Sequence, residues 1–69
     1  MTFGEFARRK RIEAGISQQV CAEAIGLKSR SAFHKLEDGE RLWKLRQLTR
    51  FAELLDMRGS ELLAEFEQL

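Results

Sequence analysis

The sequence predicts an all-helical domain built from five short helices. The chain contains no proline, and its five glycines are spread singly along it, which is typical of helices separated by tight turns. Apolar residues recur three or four positions apart, as they do on helices that pack against a core on one side. With 69 residues, of which 43% are hydrophobic, we expect a single domain over residues 1–69 with a small core.

The first helix is delimited by signals at both of its ends. Thr2 and Glu5 are spaced as in a capping box, in which each side chain bonds the backbone N–H of the other residue. Gly15 is well placed to follow the helix end near Ala14, because the left-handed conformation needed there costs glycine little. The residues that we expect to face the core are Phe3, Phe6, Ala7 and Ile12.

The second and third helices are predicted to be neighbours joined by a short turn at Gly26. Ser17 and Ser29 are candidate N-caps, since a serine hydroxyl accepts a bond from a free backbone N–H at a helix start. The third helix is expected over residues 29–37, and Asp38 and Gly39 end it. The core-facing residues of the second helix are predicted to be Cys21, Ala22 and Ile25.

The fourth helix is predicted from Lys44 or Leu45 to residue 55, and the fifth from an N-cap at Ser60 to about residue 68. Their apolar stripes contain Leu45, Leu48, Phe51, Ala52, Leu54 and Leu55, and then Leu62, Leu63, Phe66 and Leu69. Because so small a domain leaves Phe66 and Leu69 little to cover, we expect both at a two-fold interface. Trp43, in the preceding loop, either caps the core or lies against a partner subunit.

The third helix has two different faces. Phe33 and Leu36 are spaced to face inward, and the outward face carries the hydrogen-bonding residues Arg30, Ser31, His34 and Lys35. A short helix with such a face, placed behind a short turn, is what the major groove of DNA admits. An ordinary helical hairpin with a solvated polar face explains the spacing equally well.

Charge is distributed unevenly along the chain. The net charge is only +1, but residues 1–50 carry 11 Lys or Arg and 6 Asp or Glu, whereas residues 51–69 carry one Arg and five Asp or Glu. This asymmetry favours a surface that meets phosphates and a C-terminal segment that does not.

Several short motifs in order carry a resemblance to a known family. These are Gly15-Ile16-Ser17-Gln18, Ala22-Glu23, Ile25-Gly26, Ser29-Arg30-Ser31, Lys35-Leu36-Glu37-Asp38-Gly39-Glu40-Arg41, Phe51-Ala52-Glu53-Leu54-Leu55 and Glu61-Leu62-Leu63. In these the chain resembles the Cro/cI-type (XRE, lambda-repressor-like) helix-turn-helix transcriptional regulators over nearly its whole length. It departs from them in one extra turn residue, Leu27 or Lys28, and in Trp43, where the family often has proline.

The resemblance implies a five-helix lambda-repressor-like domain in which helices 2 and 3 form the helix-turn-helix. It also implies an ion pair between Arg11 and Glu37 and a phosphate contact from Gln18 at the start of helix 2. The further residues expected to contact phosphates are Lys28, Ser29, Arg41, Lys44 and Arg46. Bases would be read by Arg30, Ser31, His34 and Lys35, of which Arg30 is suited to bond guanine bidentately.

We therefore expect a sequence-specific DNA-binding regulator, a homodimeric and often autoregulatory repressor that reads an inverted-repeat operator. The dimer interface is expected to contain Trp43, Phe66 and Leu69. The alternative is a protein-interaction module of the same fold that acts by binding a partner protein, as antitoxins do.

Other functional classes find little support in the sequence. No set of residues has the spacing of a catalytic or metal site, so we expect no enzyme, cofactor, metal or small-molecule ligand. Cys21 falls on the apolar face of the second helix and His34 on the polar face of the third. The two residues are therefore not expected to act together as a nucleophile and a base. A lone cysteine and the lack of a long apolar run favour a cytoplasmic protein without a membrane span.

Overall fold

The computed structural model describes all 69 residues as five α-helices without a β-strand. The helices are α1 (Phe3–Glu13), α2 (Gln18–Ala24), α3 (Arg30–Asp38), α4 (Leu45–Leu54) and α5 (Gly59–Glu67). The predicted fold class, an all-helical domain with a helix-turn-helix formed by helices 2 and 3, is confirmed. No helix is both long and apolar enough to cross a membrane.

The first three helices begin where the sequence predicts. The Thr2 hydroxyl accepts from the Glu5 N–H at 3.1 Å and the Glu5 carboxylate accepts from the Thr2 N–H at 2.8 Å, which completes the capping box. Ser17 and Ser29 are the N-caps of α2 and α3, and accept from the N–H groups three residues on. Gly15 and Gly39 follow α1 and α3 with φ near +71° and +82°.

The start of α5 differs from the prediction. Arg58 rather than Ser60 is its N-cap, and Ser60 lies inside the first turn. The Arg58 N–H donates to the Glu61 carboxylate at 2.8 Å, so the acidic side chain of the first turn replaces a serine hydroxyl as the partner of a free backbone donor. Asp56, with φ near +60°, makes the turn before it.

Two predicted core residues are solvent-exposed. Ile12 is 56% exposed and Leu45 is 75% exposed. Leu45 is the first residue of α4 and Ile12 lies in the last turn of α1, where a helix extends beyond the elements packed against it. Their spacing continues the apolar stripes of α1 and α4, but the core does not reach as far as either residue.

The core is formed by side chains from all five helices. Its largest fully buried members are Phe6, Phe33, Phe51, Leu62 and Cys21. Cys21, Ala22 and Ile25 are buried as predicted. Buried apolar area of this kind is the main force that stabilises a small helical domain.

An aromatic cluster closes one end of the core. The Trp43 ring lies 5.1 Å from Phe3, 5.8 Å from Phe33 and 5.4 Å from Phe51, between ring centroids, and its Nε1–H donates to the Leu36 carbonyl at 3.2 Å. Trp43 therefore caps the core, the first of its two predicted placements, and the dimer contact stays a prediction. Edge-to-face ring contacts stabilise such a cluster beyond its buried area.

Phe66 also belongs to this cluster. Its ring centroid lies 5.3 Å from those of Phe3 and Phe6, so the expectation that Phe66 has little to cover inside the domain is wrong. Phe3 and Phe6 lie on one side of α1, and Phe66 packs against both of them. Leu69, by contrast, is 63% exposed.

Gly4 marks the close approach of α1 to the end of α3. A Cβ at this position would lie 2.6 Å from the Leu36 carbonyl oxygen and closer still to that of Glu37. Both obstacles are backbone atoms, which cannot move aside as a flexible side chain can. The contact brings α1 against the C-terminal half of the helix that carries the candidate site.

Candidate nucleic-acid interface

The turn between α2 and α3 sets the position of the candidate site. Gly26 adopts φ near +82°, a conformation that L side chains rarely take. The N–H of Gly26 donates to the Glu23 carbonyl at 3.2 Å, and that of Leu27 to the Ala22 carbonyl at 2.8 Å. These two bonds satisfy carbonyls at the end of α2. Leu27 packs against the core, which anchors the longer turn.

The outward face of α3 is polar and accessible. Arg30, Ser31 and His34 are exposed, and Lys35 is half-buried. Ser29, just before the helix, uses its hydroxyl to cap α3 through the Ala32 N–H at 3.3 Å, and lies 3.1 Å from the Ser31 hydroxyl. The structure thus brings Arg30, Ser31 and His34 to one surface, and the base-reading role of all four residues stays a prediction.

A buried ion pair fixes α3 against α1. The Arg11 Nε lies 2.7 Å from the Glu37 carboxylate, and its Nη1–H group donates to the Ile16 carbonyl at 2.9 Å. The side chain of Glu37 is 1% exposed and that of Arg11 is 12% exposed. The predicted pair is therefore present, and it joins three segments of the chain.

Gln18 connects this pair to the outward face of α3. Its amide Nε2 donates to the Glu37 carboxylate at 2.8 Å and lies 3.2 Å from His34 Nδ1, and its Oε1 accepts from Arg30 Nη1 at 3.1 Å. Both protons of the amide are thus directed at partners within the chain. The predicted phosphate contact of Gln18 stays a prediction, and it would require the amide to leave one of these partners.

His34 is held between two neighbours. Its Nε2 lies 2.9 Å from the Asp38 carboxylate, one turn further along α3, and its Nδ1 faces the amide donor of Gln18. A donor at Nδ1 requires that nitrogen to accept, so the proton of the neutral ring lies on Nε2 and is directed at Asp38. Asp38 was predicted only to end the third helix, although its spacing of four from His34 was a signal for this contact.

The sequence pattern of the helix-turn-helix domain family matches residues 2–66. The chain belongs to this family. No curated protein and no solved structure matches it. The family match supports DNA binding by this helix-turn-helix domain.

A basic recess includes part of the outward face of α3 in this helix-turn-helix domain. It has a volume of about 410 Å³, and its lining contains no carboxylate residue. The residues that line it are Arg8, Arg11, Gln18, Arg30, Ser31 and His34. Arg8 is not among the predicted phosphate contacts, but its spacing of three from Arg11 places both on one side of α1. The recess suits an anion such as a phosphate.

The other residues predicted to contact phosphates lie in the turns and at the helix starts around α3 and α4. Lys28 lies in the turn before α3, and Lys44 and Arg46 lie at the start of α4; all three are exposed and form no ion pair. Arg41 is also exposed, but it lines a separate apolar groove beside Trp43. The phosphate contacts of these residues stay predictions.

Cys21 lacks the properties of a nucleophile. It is fully buried, and burial raises the pKa of its thiol to about 11, against the opposing charge of Arg11. The thiol is protonated at neutral pH, and only the thiolate reacts readily. Cys21 is a packing residue of α2 in the helix-turn-helix domain.

Proposed function

We propose that this helix-turn-helix domain is a sequence-specific transcriptional regulator of the Cro/cI type. It acts in the cytoplasm as a homodimeric repressor, often of its own promoter. Two copies read an inverted-repeat operator, each with α3 in the major groove. The observation that carries the proposal is the single accessible surface formed by Arg30, Ser31 and His34 in a chain that belongs to a DNA-binding family.

Base reading centres on Arg30. Its guanidinium is exposed at the first residue of α3, the end of a recognition helix from which base edges are usually contacted. One of its nitrogens is bonded to Gln18, which orients the planar group, and its other donors are available for O6 and N7 of guanine. Ser31, Lys35 and His34 supplement this reading.

Backbone contacts position the helix. Lys28 provides an unpaired charge in the turn before α3, Lys44 and Arg46 provide two more at the start of α4, and the basic recess with Arg8 provides others. Contacts of this kind contribute affinity without distinguishing sequences. In a two-fold dimer the two α3 helices should lie about 34 Å apart, one turn of DNA, which favours an inverted repeat.

The test is a fluorescence anisotropy titration with DNA from upstream of the protein's own gene and a scrambled duplex of equal length. We expect a preference for the native duplex of about a thousandfold or more. Affinity should fall steeply between about 50 and 200 mM salt. No binding to either duplex at the lower salt would overturn the proposal and direct attention to a protein partner.

The Arg30→Ala variant tests the assignment of the base-reading surface. Loss of a bidentate guanine contact should reduce discrimination by about 1–3 kcal/mol, with a much smaller effect on the scrambled duplex. Gln19→Ala, an exposed residue of α2 without an assigned contact, is the control. An equal loss of affinity for both duplexes would show that Arg30 contacts phosphate instead.

A further inference from the structure

Polar contacts join the two ends of α3 through a residue of α2. Arg30 is the first residue of α3 and Asp38 is the last, so the helical rise separates their Cα atoms by about 12 Å. Arg30 Nη1 donates to Gln18 Oε1 at 3.1 Å. Gln18 Nε2 lies 3.2 Å from His34 Nδ1, and His34 Nε2 lies 2.9 Å from the Asp38 carboxylate. These four residues form one series of contacts, the α3 relay.

The direction of the Gln18 amide is fixed from both sides. A carboxylate only accepts hydrogen bonds, and a guanidinium only donates them. The amide nitrogen therefore faces Glu37, to which it donates at 2.8 Å, and the amide oxygen faces Arg30. A flipped amide would set oxygen against carboxylate and nitrogen against guanidinium. Gln18 thus presents a donor, and not an acceptor, to His34.

This donor determines the state of the His34 ring. Because Nδ1 must accept, the proton of the neutral ring lies on Nε2, the nitrogen that faces Asp38. Both ring nitrogens are then engaged within the chain. The α3 relay therefore runs in a single direction, with each donor facing an acceptor from Arg30 to Asp38.

Asp38 contributes little to the stability of the fold. Its side chain is 46% exposed and that of His34 is 53% exposed, and ion pairs so accessible to water are weak. A carboxylate at the last residue of a helix is also unfavourable, because the carbonyl end of the helix dipole is negative. The contact with Asp38 therefore orients the ring more than it stabilises the domain.

We propose that Asp38 is a positioning residue for base reading. Its carboxylate holds the His34 ring against Gln18. The Gln18 amide in turn orients the Arg30 guanidinium, so that the last residue of α3 controls discrimination by the first without a base contact of its own. His34 supplements base reading through the α3 relay rather than by a bond to a base. The inference rests on the proposed function, since it concerns how α3 distinguishes operators.

Two variants of Asp38 separate its bond from its charge. Asp38→Ala removes both, and should reduce the discrimination between native and scrambled duplexes about tenfold, which is within the range for one bidentate guanine contact. Asp38→Asn removes the charge but keeps an oxygen that accepts from the ring, and should retain most of the discrimination. Equal losses in the two variants would overturn the α3 relay, because charge alone would then explain the effect.

Glu40→Ala is the matched control. Glu40 is an exposed carboxylate two residues beyond Asp38, and it belongs to no ion pair. Its loss removes the same charge near the DNA, so it should raise the affinity for both duplexes slightly and leave the discrimination unchanged. A change of discrimination in Glu40→Ala as large as that in Asp38→Ala would overturn the positioning role.

A double variant tests whether Asp38 acts through Arg30. If the α3 relay ends at Arg30, Asp38→Ala should have almost no further effect on discrimination in protein that already carries Arg30→Ala. Additive losses from the two changes would overturn the relay, because additivity is the behaviour of independent sites.

Nuclear magnetic resonance follows the α3 relay in the absence of DNA. His34 is the one histidine of the chain, so its ring signals are unambiguous. At about pH 8, where an imidazole is ordinarily neutral, proton–nitrogen correlations should place its proton on Nε2. The side-chain amide signal of Gln18 should shift in Asp38→Ala and return in Asp38→Asn, although no bond joins Asp38 to this amide. A proton on Nδ1, or a Gln18 signal unchanged in Asp38→Ala, would overturn the relay.

The outcomes distinguish this proposal from the proposed function. Sequence-specific binding by the wild-type protein, with unchanged discrimination in Asp38→Ala, would overturn the positioning role of Asp38 and retain the regulator. Absence of binding by the wild-type protein to either duplex would overturn the regulator and the positioning role together.

Discussion

Glu37 is the one charged residue that the fold buries, at 3% exposure. Arg11 neutralises it, and Gln18 donates a second bond. A charge removed from water in this way needs its partner, because the desolvation cost remains when the partner is lost. Replacement of Arg11 should therefore be far more costly than replacement of a cation in an exposed pair.

Arg11→Met should lower the free energy of unfolding by about 3–5 kcal/mol. Urea denaturation followed by circular dichroism measures the loss. Lys10→Met is the control, because Lys10 pairs with Glu65, whose side chain is 42% exposed, and such pairs contribute at most about 1 kcal/mol. Equal losses in the two variants would show that the Arg11–Glu37 pair is not specially important.

The capping box makes a prediction about the titration of Glu5. The Thr2 backbone N–H and then its side chain hold the pKa of the Glu5 carboxyl below its ordinary value. A lowered folded pKa contributes stability above the unfolded value, and this contribution is lost as the pH falls through the folded pKa. Carbon NMR titration should show the low pKa, and Thr2→Ala should raise it toward the ordinary value. An unchanged pKa in Thr2→Ala would exclude the side-chain part of this cause.

At the scale of elements, local chemistry was sufficient to place most helix ends. Thr2, Ser17 and Ser29 act through atoms at most three residues away, so their spacing predicts the caps. The exposure of Leu45 depends instead on how far the neighbouring helices extend past the start of α4. The spacing of apolar residues does not predict that distance. At the start of α5 the capping bond runs from the Arg58 backbone N–H to the Glu61 carboxylate. The Arg58 side chain takes no part in it, so the identity of the N-cap residue gave no signal.

The contact between α1 and α3 predicts a strong effect at Gly4. Gly4→Ala should lower the melting temperature, because the new methyl group would overlap the backbone carbonyls of Leu36 and Glu37. Overpacking of this kind typically costs about 1–3 kcal/mol. Gly59→Ala is the matched control, since its Cβ would meet Leu48 at an ordinary 3.5 Å and alanine favours the helix. Thermal melts that rank the two variants the other way would contradict the close approach.

At the scale of the whole molecule, the candidate site was predicted in part. Helical spacing was sufficient to group Arg30, Ser31 and His34 on one face of α3. The bonds from Gln18 to Arg30 and Glu37 join residues 12 and 19 positions apart, and no periodicity links them. The recess with Arg8 likewise exists only because α1 packs against α3, next to the start of α2. Side-chain type and spacing therefore predict the face, and tertiary packing decides which of its donors remain free.

The uneven charge of the molecule makes a final prediction about salt dependence. Arg46 is exposed and unpaired at the start of α4, whereas Arg58 precedes α5 in the acidic segment. Arg46→Ala should weaken binding to native and scrambled duplexes alike and reduce the slope of log affinity against log salt by about 0.9, the value for one released counterion. Arg58→Ala removes the same charge and should leave the slope unchanged, because its side chain makes no capping bond and lies among carboxylates.

Anisotropy titrations at four salt concentrations distinguish the two variants. An equal reduction of slope in both would mean that DNA responds to the net charge of the protein and not to a localised contact. A loss confined to the native duplex in Arg46→Ala would instead assign this arginine to base reading. The predicted pattern, a uniform loss at Arg46 and none at Arg58, would mean that the basic segment contacts the DNA backbone while the acidic C-terminal helix faces away from it.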